Sequence, residues 1–235
     1  MKIKLKNAAI VAGVSLVFVY GFALGKYAIF PYNTIYELKH KYFTSEQSDT
    51  VRNATYLYKR DMYKEFRGQG DYVMVGDSIT ENARWDDIFP NYKIVNRGIA
   101  GDDTTGILER IDDIVATGAK KAFIMVGTND IDRGMSADGI VNNIGKIADK
   151  LKASGMDIVV ESTLYSGETL RQKNIVINEV NNKLTALCKE KKYHYVDINK
   201  SLAVNGVLNP EFSLDDTHIN FRGYKAWRDE ISALF

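Results

Sequence analysis

The sequence predicts an α/β doubly wound domain built on a five-stranded parallel sheet. Three observations lead there. Five short apolar runs lack strict polar alternation, which is the pattern of strands covered on both faces. Segments with helical apolar spacing separate those runs. Polar turns rich in Gly, Asn and Asp follow several of the strands, as expected where a parallel sheet delivers a site to its carboxyl edge.

The chain has 235 residues, enough for one domain with a sizeable core and a tail. Its first segment is distinct. Ala8 to Leu24 carries no charge and is mostly apolar, with Lys2, Lys4 and Lys6 before it and Lys26 after it. At about 1.5 Å per residue this run makes a helix slightly shorter than the roughly 30 Å hydrocarbon layer, a gap that snorkelling lysines close. It is longer than the apolar region of a secretory signal, and no clear Ala-x-Ala site follows it. Residues 1–26 therefore read as an uncleaved signal anchor, with a cleaved signal as the alternative. In both cases the lysines stay cytoplasmic and the rest of the chain lies outside the inner membrane.

Residues 27–70 read as a helical stem. Ile35, Leu38 and Tyr42, then Val51, Tyr56, Tyr58 and Met62, have helical spacing. Pro31 separates the first helix from the apolar run. Gly68-Gln69-Gly70 reads as the hinge into the main domain, residues 71–235.

In that domain the strand signals are Tyr72-Val73-Met74-Val75, Lys93-Ile94-Val95, Ala122 to Val126, Ile158-Val159-Val160 and Tyr195 to Ile198. Helical patterns lie between them. One holds Ile107, Leu108, Ile111, Ile114 and Val115. The next holds Ile140, Ile144, Ile147 and Leu151, and a third holds Ile175, Ile177, Val180 and Leu184. A last helix is expected from about Arg222 to Leu234, with Trp227 and Ile231 inward.

Bulk properties exclude several functions. Thirty-one basic residues balance thirty acidic ones for a net charge of +1, so total charge gives no case for nucleic acid. The single cysteine, Cys188, rules out an internal disulfide, and its helical apolar spacing marks it as a buried structural thiol. Asn96-Arg97-Gly98-Ile99-Ala100-Gly101 does not match a dinucleotide fingerprint, and no cofactor is expected. The acid pairs Asp86/Asp87, Asp112/Asp113 and Asp215/Asp216 lack His or Cys companions, so no metal is expected either.

The turns carry the chemistry. Gly76-Asp77-Ser78 follows the first strand, Asn96 to Asp102 the second, and Gly127-Thr128-Asn129-Asp130 the third. Asp215-Asp216-Thr217-His218 precedes the last helix. A serine needs a base to become a nucleophile. Of the three histidines, His40 lies in the stem and His194 starts the fifth strand at the far end, which leaves His218. Asp215, three residues before it, suits the role of orienting carboxylate, with Asp216 as rival. The oxyanion formed on attack needs donors. The backbone N–H of Ser78, the N–H of Gly101 and the Asn129 side-chain amide are candidates. Asp103 reads as a helix N-cap. Trp85 and Ile99 are candidates for either an acyl pocket or the core.

These blocks resemble those of the SGNH/GDSL hydrolase family, in the family's order. Ser78 matches the Gly-Asp-Ser block and Gly101 the oxyanion glycine. Asn129 matches the Gly-x-Asn-Asp block, and His218 with Asp215 matches the Asp-x-x-His block, with Asn220 following. The resemblance spans roughly residues 71–235 and looks most similar to acetylhydrolase-like members, including carbohydrate O-acetylesterases. It departs at Asp216-Thr217, where Gly and a small apolar residue are frequent. It implies a three-layer α/β/α, flavodoxin-like domain and acyl-enzyme chemistry with Ser78 as nucleophile, His218 as base and Asp215 behind it. The expected activity is removal of small acyl groups, acetyl above all, from an ester, with a carbohydrate as the expected partner. Alternatives are an O-acetyltransferase acting on an envelope glycan, a lysophospholipase or thioesterase, and a catalytically silent glycan-binding protein. The presence of every motif residue argues against the last.

Overall fold

A computed structural model of the chain describes residues 15–21 and 54–235. The chain divides into two compact units, residues 1–44 and 45–235. In the first, residues 15–21 are helical and exposed. The remainder of the expected membrane span, the break at Pro31 and the first stem helix lie outside the described residues. Among the described residues, no helix is long and apolar enough to cross a membrane.

The second unit opens with helix α1, Ala54–Glu65. The sheet strands are β1 (Tyr72–Gly76), β2 (Ile94–Gly98), β3 (Lys121–Met125), β4 (Asp157–Glu161) and β5 (His194–Val196). Their spatial order is β2-β1-β3-β4-β5, and every neighbouring pair is parallel. The chain steps outward from β1 to β2 and then crosses back to β3. The β1/β3 junction is therefore the point where the winding reverses, the place where sheets of this kind bind ligands. In register, Gly76 of β1 stands beside Gly98 of β2 and Met125 of β3. The three segments that leave these strands thus start from one edge.

Both faces of the sheet are covered, which is why the strands read as continuous apolar runs. One face, with Met74, Phe123, Met125 and Val159, meets Trp85, Phe89, Trp227 and Ile231. Trp85 belongs to α3 (Trp85–Ile88) and Trp227 to α9 (Phe221–Ile231); their rings meet edge to face with centroids 5.0 Å apart. Trp227 and Ile231 are fully buried, as their spacing predicts. The other layer holds α4 (Thr104–Glu109), α5 (Ile111–Val115), α7 (Ala137–Ala153) and α8 (Lys173–Lys191). Ile140, Ile144, Ile147 and Leu151 of α7, with Val180 and Leu184 of α8, are completely buried. Each such side chain contributes about 1.5–3 kcal/mol of transfer free energy. Cys188 is buried in α8, and burial pushes its thiol up to about 11. It is a packing residue.

Three elements differ from the expectation. The second strand runs through Asn96-Arg97-Gly98, residues expected in a turn. The Ile107–Val115 helix is two short helices joined at Arg110. A small hairpin, β6 (Ala203–Val204) with β7 (Val207–Leu208), turns through Asn205 and Gly206, both at positive φ. That Asn-Gly pair is the usual chemistry of such a turn.

Candidate active site

The serine is placed by the end of β1. Asp77 caps the short helix α2 (Ser78–Glu81), its Oδ1 accepting the Ile79 N–H at 3.0 Å. Ser78 is the first residue of that helix and is half-buried. Asn96 of β2 holds the other end of α2: its Nδ2 donates to the carbonyls of Thr80, Glu81 and Ala83 at 3.0–3.2 Å. Gly98 is required here for space. A Cβ on it would lie 2.3 Å from the Glu81 N, so only glycine lets β2 approach the serine helix this closely.

The Asp-x-x-His loop closes over this edge. His218 Nε2 lies 2.9 Å from Ser78 Oγ. His218 Nδ1 lies 2.8 Å from Asp215 Oδ2 and 3.1 Å from Oδ1. A carboxylate only accepts, so this contact sets the tautomer: Nδ1 carries the proton and Nε2 is left to accept from the serine. Asp215 also accepts the backbone N–H groups of His218 at 2.7 Å and Thr217 at 3.1 Å. Its partial burial raises its pKa, but those bonds outweigh burial and hold the carboxyl below its ordinary value. The rival acid points elsewhere. Asp216 has φ +64°, and its carboxylate accepts the Thr169 N–H at 3.0 Å and the Thr169 hydroxyl. His194 begins β5, paired with Val159, at the start of the strand.

The candidate oxyanion donors share this neighbourhood. Gly101 has φ +72°, a conformation that favours glycine. The Ile99 N–H donates to Gly76 O at 3.2 Å, which ties the turn to the end of β1. Asn129, in α6 (Thr128–Asp132), donates from Nδ2 to Asp102 O at 2.8 Å and so stands against the same turn. Among the described residues, neither the Ser78 N–H nor the Gly101 N–H has an internal acceptor. Such a set of donors can hold an oxyanion.

Arg110 and Arg133, for which the sequence offers no signal, support the turn with their acid partners. Arg110 pairs with Asp102 at 2.8 Å with both side chains fully buried, and donates to Arg97 O at 2.7 Å. Arg133 donates to Gly101 O at 2.7 Å and pairs with Asp103 at 2.9 Å. Asp103 is also the N-cap of α4, accepting the Gly106 N–H at 2.8 Å, as its position predicts. Trp85 and Ile99 belong to the core: Trp85 is buried and donates from Nε1 to Thr80 O, and Ile99 is buried beneath the turn. A surface cleft of about 530 Å³ between α4 and α7, lined by Thr105, Asn142, Asn143 and Lys146 among others, contains none of the motif residues. A shallower one includes Ser213, Leu214 and Asp215.

Asp77, Asp130 and Glu161 are also buried at this edge. Desolvation pushes Asp77 and Asp130 up to about 7 and Glu161, at the end of β4, up to about 8. The Trp227 indole offsets part of the effect on Glu161, although neither carboxyl oxygen meets hydrogen-bond geometry. The folded chain keeps protons that the unfolded chain has lost. Stability therefore falls as pH rises, from about 3.8 to about 7 for the two aspartates and from about 4.5 to about 8 for Glu161. Replacing Glu161 with Gln removes one such proton. Urea unfolding from about pH 5 to about pH 9 should show the variant gaining on the wild type by up to about 1.4 kcal/mol per pH unit, then levelling. A difference independent of pH would contradict the assignment.

The comparisons with known proteins agree with this architecture. Residues 74–226 match the model of the GDSL-like lipase/acylhydrolase family. The chain is 24% identical over 185 residues to an N-acylneuraminate cytidylyltransferase of Streptococcus agalactiae, covering 76% of this chain and 43% of that protein. It thus spans less than half the length of the curated relatives it matches. Among solved structures, a GDSL-like lipase from Bacteroides thetaiotaomicron superposes with a TM-score of 0.63 at 22% identity, covering 86% of this chain and 96% of that one. An acetylxylan esterase from Geobacillus stearothermophilus, a catalytic mutant, gives 0.57 at 18% identity, covering 70% and 95%.

Proposed function

The chain belongs to the GDSL-like lipase/acylhydrolase family, and from that premise we propose that it removes small acyl groups, acetyl above all, from a carbohydrate ester outside the cytoplasmic membrane. The observation that carries the reading is the relay from Ser78 Oγ through the His218 ring to Asp215, with contacts of 2.9 and 2.8 Å.

In this mechanism His218 Nε2 takes the Ser78 proton as Oγ attacks the ester carbonyl carbon. The oxyanion is held by the N–H groups of Ser78 and Gly101 and by Asn129 Nδ2. The intermediate collapses, the C–O bond to the alcohol breaks, and His218 protonates the departing oxygen. Water, deprotonated by His218, then attacks the acyl-serine, and the carboxylic acid leaves as Ser78 regains its proton. Asp215 stabilises the imidazolium throughout.

Small acyl groups are favoured because Trp85 and Ile99, the candidates for an acyl pocket, are used by the core. A carbohydrate is favoured because Asp215 is exposed and His218 half-buried, an open rim that admits a bulky alcohol. Two similar proteins point the same way by name, one acting on an N-acylneuraminate and one on acetylxylan. The extracytoplasmic placement rests on the uncharged run Ala8–Leu24 and its leading lysines.

The test is turnover by the full chain of 4-nitrophenyl acetate, butyrate and octanoate and of acetylated xylooligosaccharide and N-acylneuraminate. Acetyl esters should exceed octanoyl by about tenfold or more in kcat/KM, with free acetate released from a sugar. Preference for octanoate would replace the sugar ester with a lipid. Transfer of acetyl to an added sugar in place of acetate release would make the protein a transferase. No turnover of any ester would overturn the reading.

A further inference from the structure

We propose that α1 is a brace for the oxyanion turn, acting through Lys59 and the positioning residue Glu81. The inference rests on the assignment of Gly101 above. The peptide that carries the Gly101 N–H lies between two anchors. On its N-terminal side, the Ala100 N–H donates to Glu81 Oε2. On its C-terminal side, Gly101 O accepts from Arg133 at 2.7 Å. With the flanking peptides held at both ends, the Gly101 N–H has a set direction. Glu81 is the last residue of α2, so the helix that presents Ser78 also restrains the turn. Nucleophile and oxyanion donor are thereby linked by a single side chain.

Glu81 in turn is held from outside. Lys59 Nζ lies 3.0 Å from its Oε1, leaving Oε2 for Ala100. The same helix makes further contacts through two tyrosines. Tyr63 donates from its hydroxyl to Gly98 O at 3.0 Å, and the Arg97 guanidinium lies 4.5 Å from its ring centroid. Tyr56, buried, donates to Gly106 O at 3.3 Å. Residues 98 and 106 lie on either side of the turn, so α1 touches the chain before and after Gly101 directly and reaches Ala100 through Glu81. A twelve-residue polar helix is marginal alone; here it is fixed by these contacts and returns the restraint to the turn. A charge-assisted bond to a backbone N–H is among the stronger restraints available.

Loss of the Glu81 carboxylate frees the turn without touching bound substrate. The signature is therefore a fall in kcat at unchanged KM. Removal of an oxyanion donor costs about 10²–10³ in kcat, and its loosening should cost less, about tenfold. In the full chain, E81A should show that loss, E81Q should restore most of it because its amide oxygen still accepts from Ala100, and K59M should show a smaller loss in the same direction. Hydrogen–deuterium exchange at residues 98–102 should quicken in E81A and K59M and not in E81Q. Lys59 is partly exposed, so K59M keeps the fold testable if E81A does not fold. Wild-type kcat with wild-type exchange in K59M and E81A would overturn the brace. Faster exchange there with no turnover in any form, wild type included, would sustain the brace and sink the hydrolase reading.

Discussion

Replacing Ser78 with Ala should abolish ester turnover, with a fall of about 10⁶ in kcat on the scale of serine hydrolases that lose the nucleophile. Among the described residues, the Ser78 hydroxyl has one side-chain partner, His218 Nε2 at 2.9 Å. The helix it begins is held by other groups: the Asp77 cap, the Asn96 amide and the Tyr224 hydroxyl, which donates to Ile79 O at 2.7 Å. Unfolding free energy should therefore stay within about 0.5 kcal/mol of the wild type. The check is kcat on an acetyl ester beside a urea unfolding curve. A variant that keeps a tenth of the activity with an intact fold would remove Ser78 from the mechanism.

The second large effect separates two adjacent acids. Asp215→Asn should lower kcat about 10⁴-fold, because an amide can present its NH₂ to Nδ1 and force the wrong tautomer of His218. Its Oδ1 can still accept the backbone N–H groups of Thr217 and His218, so the loop keeps its shape. Asp216→Asn should cost less than about tenfold. Asn tolerates the positive φ found there, and the Asp216 carboxylate binds Thr169 rather than the ring. Steady-state kinetics of the two variants side by side decide the matter. Equal losses would mean that the loop, and not one carboxylate, orients His218.

That choice between Asp215 and Asp216 shows where sequence reading stops. Spacing admits both acids; the structure sets the Asp215 carboxylate against the ring and Asp216, at φ +64°, against Thr169, a difference that no residue type announces. The five strands were legible because burial on both faces leaves continuous apolar runs. The second reads short because Asn96 and Arg97 are polar, yet the Asn96 amide donates to the carbonyls of α2 and the Arg97 guanidinium lies over the Tyr63 ring. The helix through Ile107 and Ile114 was expected to be continuous. Periodicity does not reveal that Arg110 interrupts it and sends its guanidinium beneath the turn to Asp102. The four motif blocks were readable because each follows a strand or precedes a helix. The groups that steady them, Glu81, Arg133 and Lys59, were not, because an exposed-type charge carries no mark of its partner. Glu81 alone offered a signal, three residues after Ser78 on the same helix.

Whether Ser78 is the nucleophile is read from the mass of its covalent adduct. Treat the folded full chain with a fluorophosphonate, digest it and map the modified peptide. One adduct is expected, on Ser78, absent in His218→Ala and after denaturation before labelling. An adduct on another serine, or none on a chain that still cleaves esters, would contradict it.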